Sequence, residues 1–181
     1  SKLTEFGVET CLIEDSSRPT TFKIRYLVEK QKLFRVSRLK EHSLPQKIEE
    51  SVIASINEFA PNLDGILVCD FVYGVITPRI IDALEQVTRR YQVPLFGDLQ
   101  CSSQIGNISK FRNYHLLCPT EREARIALGN QSDGIEYVAN LLMKEAQTSN
   151  LIVKLGAEGF IAYKQEEESG FLHRQHFPAL S

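Results

Sequence analysis

The side chains that could do chemistry fall into separate groups along this chain. Thr120-Glu121-Arg122-Glu123 sets a hydroxyl and a carboxylate three residues apart at what reads as a helix start. That spacing fits a capping box, in which the two side chains satisfy the first backbone N–H groups. It also fits a helix N-terminus at a sheet rim, suited to phosphate and to a carboxylate-held Mg2+. Gly156 and Gly159 lie three apart after an apolar run that ends at Lys154 and Leu155. They serve either a tight turn or the close approach of backbone to a nucleotide. Asp70 and Asp98 each end an apolar run, as turn caps or as part of a polar-ligand site. Lys23, Arg25, Arg35 and Arg38 form either a solvated face or a cationic cover for a phosphorylated substrate. His173 and His176 have His-x-x-His spacing. On a strand that spacing sends them to opposite faces, which argues against a metal site. No Walker-type phosphate loop, Gly-x-Ser-x-Gly or zinc signature is present.

Four apolar runs position these groups: 65–70, 93–98, 115–120 and 151–156. Each ends on a polar or glycine-bearing turn, and helix-like segments lie between them. The alternation predicts a parallel sheet with crossover helices. Such sheets bind ligands beyond the carboxyl ends of their strands. That rim would carry Asp70, Asp98, Thr120, Glu123, Lys154 and Gly156. The spacing predicts helices starting with Pro45 as the first helical residue, at Pro78 after a Thr77 cap, from Thr120 to about Leu128 with Gly129 closing it, and after an Asp133 cap. Residues 99–113 read as mostly loop, with a short helix near 107–112. Residues 160–164 read as an antiparallel return, 166–170 as a solvated tip and 171–174 as the last strand. Near the start, 8–14, 20–28 and 33–36 read as strands. In the second, Phe22, Ile24, Tyr26 and Val28 face one way and Lys23, Arg25 and Leu27 the other. This hairpin could lie over the rim as a lid.

Hydrophobic residues make up 43% of the 181 residues and charged residues 24%, as expected for a globular domain with a real core. A net charge of −2 does not mark a nucleic-acid or anionic-membrane binder. No apolar stretch is long enough to span a bilayer. Cys11, Cys69, Cys101 and Cys118 are scattered, which predicts free thiols in a reducing, cytoplasmic setting. The opening Ser1-Lys2-Leu3-Thr4-Glu5 reads as a chain that starts mid-protein, without a signal peptide.

Several segments, taken in order, resemble one family. Pro19-Thr20-Thr21-Phe22-Lys23-Ile24-Arg25-Tyr26 with Leu33-Phe34-Arg35-Val36 resembles the lid strands of the ribokinase-like (phosphofructokinase-B) sugar kinases. The segments from Cys69 to Thr77, Gly97 to Gln100, Cys118 to Glu123 and Val153 to Gly159 resemble that family's later motifs. They are most similar to the heptose-phosphate kinase branch, often fused to an adenylyltransferase. The resemblance implies an α/β ribokinase-like parallel sheet with flanking helices and a small β-hairpin lid. It implies a single, partial sugar-kinase domain over 1–181, with lid strands in 8–38 and an α/β core over 45–181. It also implies phosphorylation of a sugar or sugar-phosphate hydroxyl by ATP with Mg2+. Glu123 would then help hold Mg2+. Lys154, Gly156 and Gly159 would line the nucleotide, and Asp70, Asp98, Lys23 and Arg25 would face the sugar.

Four positions depart from the family's motifs: Tyr73 and Gln100 stand for lysines, Thr120 for an asparagine and Lys154 for a threonine. The family's Gly-Ala-Gly-Asp, with its aspartate base and anion hole, is absent and would be expected after Phe177-Pro178-Ala179-Leu180-Ser181. The expectation is little or no kinase activity for this chain alone. The alternative is a non-catalytic, pseudokinase-like module that binds a nucleotide or sugar phosphate. The hairpin's apolar face also offers a surface for pairing with a second copy.

Overall fold

The structure, a computed structural model, describes residues 2–29, 31–100, 108–166 and 170–179. The elements in chain order are α1 (Lys2–Glu5), β1 (Phe22–Val28), β2 (Gln31–Arg38), α2 (Gln46–Phe59), β3 (Ile66–Asp70), α3 (Pro78–Tyr91), β4 (Leu95–Leu99), β5 (Leu116–Leu117), α4 (Glu121–Leu128), α5 (Ile135–Ala146), β6 (Asn150–Lys154), β7 (Phe160–Gln165) and β8 (Leu172–Phe177). Strands β3 to β8 lie side by side in sequence order. The first four are parallel, and β7 and β8 return antiparallel. β1 and β2 form a separate antiparallel sheet. This is a ribokinase-like α/β arrangement with a hairpin apart from the main sheet.

Burial along the strands alternates. Val68, Leu95, Leu99, Leu117, Leu151, Val153, Ile161 and Tyr163 are buried, while their strand neighbours are only partly covered or exposed. The buried side packs on Ile80 and Leu84 of α3 and on Val138, Leu142 and Ala146 of α5. Burying a leucine fully contributes about 1.5–3 kcal/mol, so Leu142 and Leu151 are major anchors. The opposite side carries Leu67, Cys69, Asp98 and Lys154, and Leu67 there is 64% exposed. Gly97 fits because a Cβ would press against Leu117, Phe111 and Tyr114 beneath it.

Local signals explain most element ends. Thr77 caps α3 by accepting from the Ile80 N–H, with Pro78 first in the helix. Gly129 closes α4 at φ +62°. Other expectations need correcting. No strand forms at 8–14. That segment finds no partner strand, and Cys11 instead lies 3.6 Å from the Ser55 hydroxyl of α2. Pro45 is the cap of α2 rather than its first residue. Gly134, not Asp133, caps α5, because the Asp133 carboxylate accepts from Asn130 instead. The short helix expected near 107–112 is present as a 3-10 turn over Ile108–Lys110. Residues 101–107, with Cys101, the 167–169 part of the expected tip, and Leu180-Ser181 lie outside the described residues. Cys11, Cys69 and Cys118 are free thiols. Among the described residues no helix is long and apolar enough to cross a membrane.

Candidate functional site

The carboxyl ends of β4, β5 and β6 meet through one ion pair. Lys154, last in β6, places its Nζ 2.6 Å from Asp98 Oδ1 on β4. Gln100 Nε2 donates to the other Asp98 oxygen at 3.2 Å. Between them the chain leaving β5 pairs with β6: the Lys154 N–H donates to Pro119 O, and Thr120 bridges to Lys154 in parallel register. Cys118 is half-buried there. Burial pushes its thiol up, Lys154 pulls it back and Asp98 adds to the rise.

Thr120 begins α4. Its hydroxyl accepts from the Glu123 N–H at 3.2 Å, and Glu123 Oε2 accepts from the Thr120 N–H at 2.7 Å. The capping box is thus complete, and Glu123 is 6% exposed. Among the described residues no cluster of three or more His, Cys, Asp or Glu could hold a metal ion. A lone carboxylate fits Mg2+ only where substrate phosphates supply other ligands, which is how Mg2+ is usually held.

The two glycines after Lys154 differ. Gly156 sits at φ +65° with nothing near its missing Cβ. Gly159 sits at φ +92°, where a Cβ would lie 2.0 Å from Phe177 O and 2.6 Å from Ala179 N. Its backbone is needed by the segment leaving β8. Asp98, Lys154, Glu123 and Gly156 therefore share one rim, and Gly159 follows it in close contact with the segment leaving β8. His173 and His176 take opposite faces of β8, opposite Lys164 and Ile161 respectively.

Asp70 leaves this group. In the parallel register Asp98 pairs with Cys69, and Asp70 pairs with Leu99. Alternation then sends the two carboxylates to opposite faces. Asp70 is 3% exposed, ion-paired with Lys110, and accepts from the Val72 N–H at 2.8 Å. Lys110 carried no signal in sequence, because its partner is 40 residues away.

A second concavity of about 380 Å3 lies between the hairpin base and the end of β3, lined by Arg18, Lys23, Lys40, Asp70, Tyr73 and their neighbours. Lys23 Nζ stands 5.3 Å from the centre of the Phe71 ring and 5.0 Å from that of Tyr73. Arg25 pairs with Arg35 on the same hairpin face but does not line the cavity. Arg38 pairs with Phe22, which puts it on the other face from Lys23 and Arg25.

The profile described as pfkB family carbohydrate kinase matches residues 2–179. The chain belongs to this family. It is 28% identical over 170 residues to the bifunctional protein HldE of Wolinella succinogenes, covering 92% of this chain and 35% of that protein. It is also 28% identical over 164 residues to the HldE of Geotalea uraniireducens, covering 88% and 33%. Among solved structures, the ribokinase of Giardia lamblia superposes with a TM-score of 0.71 at 15% identity, over 99% of this chain and 55% of that one. Escherichia coli phosphofructokinase-2 in complex with fructose-6-phosphate gives 0.56 at 12% identity, over 89% and 52%. At 15% and 12% identity these two structural likenesses are likenesses of fold. The chain spans about a third of the curated relatives' length and about half of the structural neighbours'.

Proposed function

We propose that this pfkB-family protein serves ATP-dependent phosphorylation of a sugar or sugar-phosphate hydroxyl, with a heptose phosphate as the preferred class. The observation that carries this reading is the joined rim, in which Asp98, Lys154, Thr120 and Glu123 connect through direct contacts. Phosphoryl transfer depends on positioning and charge neutralisation more than on covalent chemistry, so such a rim is a workable scaffold. In this reading Lys154 and Gly156 meet the nucleotide phosphates, and Gly159 shapes the turn that follows. Glu123 would hold Mg2+, which neutralises charge on the phosphates. Lys23 and Asp70 line the sugar cavity, Arg25 adds positive charge on the same hairpin face, and Asp98 orients Lys154. The resemblance assigns the general base to a Gly-Ala-Gly-Asp segment that residues 1–181 do not contain. The 181-residue chain on its own would therefore turn over little or nothing. We propose the cytoplasm as its setting and pairing through the hairpin as a route to a dimer.

A specific observation favours a second, non-catalytic reading. Both Asp98 oxygens are occupied by Lys154 and Gln100, and Glu123 is engaged by its own helix start. A domain of this kind could bind nucleotide or sugar phosphate without transferring a phosphoryl group. Coupled ADP production over a panel of sugars and sugar phosphates by the full-length protein, run beside ATP, ADP and sugar-phosphate thermal shift, separates these readings: sugar-dependent turnover favours the kinase, and ligand-dependent stabilisation without turnover favours the non-catalytic module. Nucleotide-dependent stabilisation supports a nucleotide site, because a ligand of the native state raises its stability. No shift with either saturating nucleotide or saturating sugar phosphate overturns both. Robust turnover by residues 1–181 overturns the assignment of the base to the absent segment.

A further inference from the structure

We propose that Arg18 is a positioning residue, the joint that holds the hairpin, and with it Lys23, in place over the cavity at the end of β3. Among the described residues the hairpin shares no ladder with the main sheet. Its two legs instead meet the 73–74 turn at one point. Arg18, on the incoming leg, donates from Nη1 to Tyr73 O at 3.0 Å and from Nη2 to His42 O at 2.7 Å. Its Nε pairs with Asp15 at 2.7 Å, and its side chain is only 13% exposed. The outgoing leg is pressed on the same turn. The Leu44 N–H donates to Gly74 O at 3.1 Å. Gly74 sits at φ +81°, and a Cβ there would lie 2.4 Å from His42 O. Lys40 Nζ reaches Ser17 O at 3.2 Å and links the two legs.

One planar fork therefore touches both legs and the 73–74 turn at once, beside the Leu44–Gly74, Lys40–Ser17 and Ser17–His42 contacts that each join two of them. A guanidinium presents donors in fixed, diverging directions, whereas a lysine ammonium is a single point that cannot reach three separated acceptors. Tyr73, whose carbonyl Arg18 takes, also carries one of the two rings beneath Lys23. The hairpin leg and the aromatic floor are thus fixed relative to each other by the same side chain. The importance of Lys23 for substrate rests on the proposed function, whereas the joint itself can be measured without any substrate.

The test compares wild type with R18K and R18Q by NMR and hydrogen exchange. In the wild type the Lys23 ε-CH2 protons are shifted upfield by the ring currents of Phe71 and Tyr73. In R18K that shift collapses toward the value of a free lysine. Amides of 22–28 and 31–38 exchange about tenfold faster, while those of Leu151 and Val153 keep the wild-type rate. Sugar-phosphate affinity falls about tenfold with ADP affinity unchanged, the signature of local misplacement rather than unfolding. Unchanged Lys23 resonances and hairpin exchange in R18K overturn the proposal. So does equal acceleration of hairpin and sheet amides, which would mean a general loss of stability. If R18Q does not fold, R18K decides. Failure of the wild type to bind any sugar phosphate counts against the proposed substrate and leaves resonance and exchange to decide the role of Arg18.

Discussion

Lys154 on β6 reaches over the end of β5 to hold Asp98 on β4, with Nζ and Oδ1 2.6 Å apart. β5 is only two residues long. The contact therefore joins strands whose own ladders reach each other only through Leu117 and its neighbours. Its partners are partly open, at 37% and 19% side-chain exposure.

Replacing Lys154 tests which role dominates. A partly exposed ion pair is worth about 1 kcal/mol or less, so K154Q should lower the melting temperature by no more than about 4 °C. Losing a charge-assisted contact to phosphate should weaken ADP binding about tenfold by calorimetry. A large stability loss with unchanged ADP affinity would make the lysine structural only.

Glu123 has two separable uses. T120A removes the cap acceptor and should cost about 1 kcal/mol, or about 2–4 °C in melting temperature. E123Q keeps a carbonyl to accept the Thr120 N–H but loses the charge. It should melt close to wild type and lose the gain in ADP affinity that MgCl2 gives the wild type. A Mg2+ effect that survives E123Q confines Glu123 to capping.

The two glycines should part company on substitution. G159A forces a Cβ to within 2.0 Å of Phe177 O and should cost more than about 3 kcal/mol, read as a much lower urea midpoint. G156A meets open space and carries only its left-handed backbone cost, about 1–2 kcal/mol. If the turn receives a nucleotide, G156A should still weaken ADP binding.

Asp15 links stability to pH. The Ser17 hydroxyl lowers its pKa most, burial opposes, and the Ser17 N–H and Arg18 lower it further. A carboxylate with a depressed folded-state pKa stabilises above its unfolded value, about 3.9, and loses that contribution as pH falls through the folded value. D15N should therefore melt below wild type at pH 7. The gap between the two should close below about pH 4 in thermal scans. A constant gap across that range would remove the charge from the account.

Much of the architecture was legible because its signals are local. Thr77-Pro78 and Thr120-x-x-Glu123 specify helix starts within one turn, and the 22–28 alternation specifies a strand with two unlike faces. What escaped depends on distant partners. Val8 to Glu14 reads as a strand, but a strand needs a neighbour and none arrives. Asp70 and Asp98 look equivalent in sequence. A one-residue difference in register sends them to opposite sides of the sheet, and only the pairing of β3 with β4 reveals it. The close backbone approach that requires glycine at 159 was not legible either, because the atom it must clear lies 18 residues onward, at Phe177. Arg18 gave no periodic or motif signal of its own, because its acceptors are carbonyls at 42 and 73.

That no ladder joins hairpin and main sheet among the described residues has a mechanical consequence. The hairpin is instead tied to the end of β3 by side-chain and turn contacts, from Arg18 to Tyr73, from Leu44 to Gly74 and from Lys23 to the Phe71 and Tyr73 rings. A molecule seated in the crevice between them leans on both pieces, so how long it stays should track how firmly those few ties hold as well as the groups it touches.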